Sequence, residues 1–233
     1  MLNDIEIARK KREQKELAEK VIVDDCFGEV PKIIGGMDIT FLDIHKNPTK
    51  AWASIVCMDI DSLDVLHTDI AEGTIEFPYV PGLLAYRELP LLLELYKRVK
   101  HSKYKPDIFF IDGHGRSHPR RSGIACHFGV ETGEMSVGIA KKLLCGKHEP
   151  VQDVLAWNEY IRDKEGVIGA VYVSKPGEDP IYVSVGHKMT LEGAMVYVST
   201  MIKTGERLPE PTRIAHNILQ PVRREAVEHQ TKR

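Results

Sequence analysis

The sequence predicts a mixed α/β protein in which an antiparallel meander and parallel strands share one sheet, with helices on its faces. Three observations carry this. Segments of β character, IIGGMDITFLD (33–43), AWASIVCMDI (51–60) and DVLHTDIAEGTIE (64–76), follow one another with only short polar turns between them. A continuous apolar run from Ile108 to Ile111 has the composition of a strand buried on both faces. Beyond it, helix-like and strand-like segments alternate as far as residue 205.

Taken in chain order, the N-terminal stretch (about 1–20, its pattern running over 4–23) sets Ile5, Ile7, Ala8, Leu17, Ala18 and Val21 at roughly helical spacing among Glu, Lys and Arg. This predicts a solvated helix packed along one stripe. Its RKKR cluster (9–12) reads either as a phosphate contact or as a wet helix face, since Glu13, Glu16 and Glu19 interleave with it. The meander follows. GLLAYRELPLLLELYKRVKH (82–101) then predicts a helix from Leu89, Leu92, Leu93 and Tyr96, with basic residues toward its end. Proline is tolerated in a first helical turn, so Pro90 puts Glu88 near the helix N-terminus.

A strand over 107–112 comes next, then a loop, a short helical stretch near 121–129, a strand over 135–141 and a helix over about 151–164. Strands 167–174 and 181–186, joined through the turn-rich KPGEDP, read as a hairpin. The segment 190–205 is a helix with Thr190 as N-cap and a glycine after its end. From about 221 to 233, PVRREAVEHQTKR lacks apolar periodicity and is expected to be loose. All 233 residues read as a single domain.

Composition narrows the class. Hydrophobic residues at 42% and charged residues at 28% are ordinary for a globular protein and exclude a disordered or fibrous chain. A formal net charge of -2 gives no hint of a polyanion partner, although binding depends on where basic residues cluster rather than on their sum. Cys26, Cys57, Cys126 and Cys145 are dispersed without a CxxC pair, which excludes a cysteine zinc site and predicts reduced, mostly buried thiols. The charged N-terminus resembles no signal peptide, and nowhere do 18 apolar residues run together. The expectation is a soluble, cytoplasmic monomer without a membrane partner.

The chemistry concentrates around DIFFIDGHGRSHPRRSGIA (107–125), where a buried strand ends on Asp112 and opens into glycine, histidine and arginine. Asp before Gly is also a common turn cap, and ligands also gather where such strands stop. Asp38, inside the first meander strand, either points to water from an edge or binds a cation, because a carboxylate in a strand interior is costly otherwise. Should strand 33–43 lie beside strand 107–112, Asp38 and Asp112 become neighbours. Glu88 reads either as a complement to its helix dipole or as the third acid. Three oxygen ligands without a Cys/His cluster suit Mg²⁺ or Mn²⁺ better than zinc. His118, Arg120 and Arg121 follow Asp112 as candidate phosphate contacts, Lys141 ends the next strand, and His216 lies in PTRIAHN. A metal flanked by basic side chains is what phosphodiester hydrolysis needs, although Arg120 or Lys141 alone is more often a surface charge than a phosphate contact. His127 and His187 read as structural.

GGMDITF (35–41), PYVPGLLAYRELP (78–90), IDGHGRSHPRRSGIACHFGV (111–130), VGIAKKLLCG (137–146) and VGHKMTLEGAMVYV (185–198) stand in an order and spacing that resemble endonuclease V, the deoxyinosine-directed repair nuclease with a ribonuclease H-like fold. The resemblance runs over roughly residues 5–220. It implies that Asp38, Glu88 and Asp112 are catalytic acids holding Mg²⁺, with Mn²⁺ able to substitute, and that Lys141 and His216 are auxiliary groups near the scissile phosphate. It also implies that Pro78, Tyr79, Val80 and Pro81 form a wedge entering the helix at the lesion, and that Gly82, Leu84, Gly113, Gly123 and Ile124 wall a pocket for the flipped hypoxanthine. The implied reaction cuts the second phosphodiester 3′ to inosine in DNA, leaving 3′-hydroxyl and 5′-phosphate ends. A stiff aromatic between two prolines suits base extraction. Taken without the resemblance, PYVP reads as a loop that ends the meander. ETGEMS (131–136) departs from the apolar, proline-containing link that the family more often carries ahead of the strand delivering Lys141. Three rival readings are an inosine-specific ribonuclease acting mainly on RNA, a non-catalytic lesion-binding module, which would not need the acids, and a small-phosphoester hydrolase, which would not need the wedge. Motifs do not fix discrimination at the 2′-hydroxyl.

Overall fold

The structure, a computed structural model, describes residues 3–151 and 159–231. Its strands are β1 (Ile33–Phe41), β2 (Thr49–Asp59), β3 (Val65–Ile75), β4 (Ile108–Asp112), β5 (Met135–Ala140), β6 (Glu159–Asp163), β7 (Gly166–Tyr172) and β8 (Ile181–His187). The helices are α1 (Asp4–Ala18), α2 (Leu84–Val99), α3 (Ile124–Thr132), α4 (Leu191–Thr200) and α5 (Glu210–Thr231). The strands form one sheet in the order β3-β2-β1-β4-β5-β8-β7-β6. β1, β2 and β3 are the antiparallel meander, β1, β4 and β5 run parallel, and β5, β8, β7 and β6 are antiparallel. The mixed sheet flanked by helices is therefore as predicted.

The central strands read as unbroken apolar runs because both sheet faces are covered. In β4, Phe109 and Ile111 point into a core with α2 and α3 (Leu92, Leu95, Phe128), while Ile108 and Phe110 point into the opposite core with α4 (Met195, Val198). That period-two division is the geometry of a strand. Each such fully buried side chain contributes on the order of 2 kcal/mol. α5 lies across β1 and β2, and Ser54 Oγ donates to Ala215 O at 2.7 Å. The approach is close enough to require a glycine, since a Cβ on Gly36 would lie 2.1 Å from the Pro211 carbonyl carbon.

Several elements differ from the sequence expectation. Pro90 lies inside α2, well past its first turn, so Glu88 sits a turn into the helix rather than at its start. The bond lost at Pro90 is outweighed by burial of the apolar Ala85, Leu91, Leu92 and Leu95. Of the apolar stripe expected on α1, Ile7, Leu17 and Ala18 are half-buried and none is fully buried. Ile5 is 79% exposed, and the buried residue is Gln14. Of the helix expected over 151–164, residues 152–158 lie outside the described residues and 159–163 are β6, which pairs with β7. Edge pairing overrides local helical pattern there. Residues 221–231 are not loose. α5 continues through Pro221 to Thr231, and Arg223 Nε donates to Phe41 O at 2.8 Å. α4 stops at Thr200, before the expected 205, with Thr190 capping it through Gly193 N. Cys57 and Cys126 are buried, Cys145 is half-buried and Cys26 is exposed, all as free thiols. Among the described residues no helix is long and apolar enough to cross a membrane.

Candidate active site

The parallel register of β1 and β4 pairs Met37 with Ile111, so the next residue of each strand, Asp38 and Asp112, stand side by side. Asp38 is 6% exposed, and its Oδ1 accepts from Ile39 N at 2.7 Å. α5, seated on Gly36, brings in His216, whose Nδ1 lies 2.7 Å from Asp38 Oδ2. One turn later, the Gln220 amide nitrogen lies 3.1 Å from His216 Nε2. With the amide donating, this network assigns the proton to Nδ1, which donates to the carboxylate. Lys141 directly follows β5 and its Nζ contacts Asp112 Oδ2 at 2.5 Å. ETGEMS does not divert this delivery: Gly133 ends α3 in the left-handed conformation and β5 begins at Met135. Glu88, from α2, completes the acidic wall and is 7% exposed.

These charges are in conflict. Burial pushes the Glu88 carboxyl well above its ordinary range, and the neighbouring Asp112 and Asp38 add to that. Burial and then Asp38 push Asp112 up to about 7, with Lys141 opposing. Ligand atoms of Asp38, Asp112 and His216 all lie within 4.8 Å of one another. The two carboxylates at that separation fit a divalent cation, which would relieve the repulsion that one lysine only partly offsets, while the His216 ring, with Nδ1 donating to Asp38 and Nε2 accepting from Gln220, holds the Asp38 carboxylate in place. His216 was expected as an auxiliary group and not among the ligands; its place in this cluster follows from the docking of α5.

The acids form part of the wall of a cavity of about 370 Å³. Every residue expected to wall a base pocket lines it: Gly82, Leu84, Gly113, Gly123 and Ile124. Gly113 has φ +139°, and a Cβ there would meet Ile124 Cγ2 at 2.6 Å, so the wall next to Asp112 requires glycine. Tyr79 and Pro81 also line the cavity, whereas Pro78 and Val80 belong to the same turn without lining it. Tyr79 is 42% exposed.

Gln14, His114, Ser122 and Leu144 line the cavity as well, and the sequence reading missed them. Gln14 had no signal, as a polar residue in a charged helix. His114 stood inside the DGHG string but was not singled out. Its Nδ1 pairs with Ser117 Oγ at 2.9 Å, and burial holds its imidazole near 4, hence neutral.

His118 lines the same cavity as the acids, whereas Arg120 and Arg121 do not. His118 is buried; its Nε2 donates to Gly82 O at 3.2 Å and its Nδ1 accepts from Arg120 N at 3.2 Å. Burial holds this imidazole near 4, with the Arg120 charge adding to the effect, so it is neutral. Arg120 donates to Gln14 Oε1 at 2.6 Å and Gly82 O at 2.7 Å. Arg121 pairs with Asp163 at 2.5 Å and Glu165 at 3.0 Å. The expected phosphate contacts are thus engaged within the protein. His127, edge-on to Tyr86, and His187, accepting from Ile22 N at 3.2 Å, are buried as the structural reading had them.

The Endonuclease V family model matches residues 15–217. The chain is 40% identical over 203 residues to an endonuclease V of Roseiflexus castenholzii, covering 87% of this chain and 86% of that one. With the endonuclease V of a Nostoc species it shares 39% over 206 residues, or 88% and 90% of the two chains. Among solved structures, human endonuclease V superposes with TM-score 0.85 at 30% identity, covering 94% of this chain and 99% of that one. Endonuclease V of Ciona intestinalis, solved with a 24-mer DNA containing an inosine followed by a ribo-adenosine, gives 0.83 at 27% identity, covering 96% and 100%.

Proposed function

From the premise that this chain belongs to the endonuclease V family and is a nuclease, we propose that it recognises inosine in nucleic acid and hydrolyses the second phosphodiester bond 3′ to it, leaving 3′-hydroxyl and 5′-phosphate ends, as a step of DNA repair. One observation carries the reading: Asp38, Glu88 and Asp112 are wall residues of the same cavity that Gly82, Leu84, Gly113, Gly123 and Ile124 enclose. A base held in that cavity is tethered within reach of the acids. The cavity volume of about 370 Å³ falls in the ordinary range for small-ligand sites.

Asp38 and Asp112, with Glu88 beside them, would hold Mg²⁺, or Mn²⁺ in its place, which would supply an activated water and neutralise charge developing on the scissile phosphate. The chain's own groups do the rest. His216 donates to Asp38 and so fixes the orientation of that carboxylate. Lys141 holds a fixed positive charge against Asp112, where it can stabilise a phosphate oxygen. Tyr79, exposed at the cavity mouth between two prolines, offers a stiff face to fill the stack that the base leaves.

The test is cleavage of end-labelled strands carrying one deoxyinosine, one inosine or an adenine control, single and double stranded. A single cut at the second bond 3′ to the lesion, present with Mg²⁺ and absent with EDTA, is expected. Equal cutting of the adenine control would overturn the reading. The ribo-adenosine beside the inosine in the Ciona complex is the reason to include the ribose arm.

A further inference from the structure

The turn that carries Tyr79 is tied down at both ends by side chains that have no part in the acidic cluster. On one side stands Arg87, whose side chain is fully buried. Its Nη1 donates to Phe77 O, and its Nη2 donates to Ile44 O at 3.0 Å and Lys46 O at 2.9 Å. The first carbonyl belongs to the residue just before the turn. The other two belong to the loop whose His45 ring stands edge-on to Tyr79, 5.6 Å between centroids. On the other side, the Gly82 carbonyl accepts from Gln14 Nε2 at 3.0 Å, His118 Nε2 at 3.2 Å and Arg120 Nη2 at 2.7 Å. Arg120 Nε also donates to Gln14 Oε1 at 2.6 Å, locking two of the donors to each other.

This buried guanidinium meets three carbonyls and, 4.9 Å away, the face of Phe41, while its Nε has no hydrogen-bond partner among the described residues, so its desolvation offsets most of what the contacts return. What such an arrangement does supply is position. We infer that Arg87 on one side, and Gln14, His118 and Arg120 on the other, form a two-ended clamp that holds the Tyr79 turn in its working place before nucleic acid arrives. They are positioning residues that act through Tyr79. A turn already ordered loses no conformational freedom on binding, so the aromatic meets the stack without an ordering cost. The clamp's existence rests on geometry alone; its consequence for cleavage rests on the proposed function.

The test uses the full chain and the variants Arg120→Met, Gln14→Leu and Arg87→Lys, with two readouts. The first is hydrogen exchange in the free protein, which needs no substrate. The Leu83 amide, bonded to Val80 O, should exchange about tenfold faster in each variant, while amides of the α2 core at Leu92 and Leu95 keep wild-type rates. The second is single-turnover cleavage. In Arg120→Met and Arg87→Lys, duplex carrying inosine should be cut about tenfold more slowly and the single strand within about twofold of wild type, with no further loss on duplex when Tyr79→Ala is already present; Gln14 lines the cavity, so Gln14→Leu is read by exchange alone. Unchanged exchange at Leu83, or acceleration throughout the molecule, would overturn the clamp. So would equal losses on both substrates that persist in the Tyr79→Ala background with a salt dependence flattened by about one phosphate contact, since that makes Arg120 a nucleic-acid ligand. If wild-type protein does not distinguish inosine from adenine, the functional reading falls, and the exchange result still decides the clamp. If Arg87→Lys does not fold, the other two variants carry the test.

Discussion

Replacing Asp112 by Asn should make the metal-free protein more stable while abolishing cleavage. In the folded chain burial and Asp38 raise this carboxyl from 3.8 to about 7, even with Lys141 opposing. Between those two pH values the folded state keeps a proton that the unfolded chain has released. Stability therefore falls as pH rises through that window, and the penalty is complete above pH 7. Three units at about 1.36 kcal/mol each put the full penalty at about 4 kcal/mol. Asparagine cannot ionise and escapes it. Calorimetric melting in EDTA should show Asp112→Asn gaining up to this amount at pH 8, or about 8–16 °C for a chain of this size, with the gain falling to less than half at pH 5. Added Mg²⁺ should raise the melting temperature of the wild type and do little for the variant, because a ligand stabilises only the state that binds it. Cleavage should drop at least about a hundredfold. A variant no more stable than wild type at pH 8, or a gain equal at both pH values, would refute the reasoning that these carboxylates are held together against their repulsion.

Other outcomes follow from the same geometry. Glu88→Gln should keep binding to inosine-containing DNA and lose at least about a hundredfold in single-turnover cleavage on both single and double strands. Tyr79→Ala should lose roughly tenfold to a hundredfold in affinity for duplex and less for single strand, measured by equilibrium titration. His127 is buried with no hydrogen bond at Nε2 among the described residues, and burial holds its imidazole near 4. Because that lies below the unfolded value, its contribution to stability is lost as pH falls from about 6.5 to 4, and His127→Phe should flatten the acid limb of the stability curve by about 3 kcal/mol at most. Gly36→Ala forces a methyl to 2.1 Å from the Pro211 backbone, so melting should fall by the equivalent of about 3 kcal/mol or more, and His216 should be displaced with α5.

The acidic pair was legible because each carboxylate interrupts or ends an apolar strand, and strand pairing leaves few ways to arrange four such segments. Asp38 beside Asp112 follows once β1 and β4 are neighbours. The pocket glycines were legible through the family resemblance rather than through periodicity. The place of His216 was not, because a helix 178 residues from Asp38 announces nothing about which strand it will cover. Gln14 was missed and Arg120 misread for a related reason. A side chain's partners depend on tertiary contacts, and surface charge is the default for a polar residue in a charged segment. Proline misled twice. At Pro90 and Pro221 local chemistry favours a break, yet packing of the flanking turns carries the helix through. Residues 159–163 went wrong in the opposite sense, since a neighbouring strand edge decided their conformation.

The span between Asp38 and His216 also bears on timing. A growing chain on the ribosome carries both aspartates long before it carries the histidine that contacts Asp38 across 178 residues. The helix bearing that histidine can dock only after β1 and β2 have formed the surface it covers. Contacts between such distant parts of a sequence form late. A nascent or truncated chain would then hold acidic side chains without the full centre. For a protein that cuts nucleic acid, this makes completion of the fold a condition of activity.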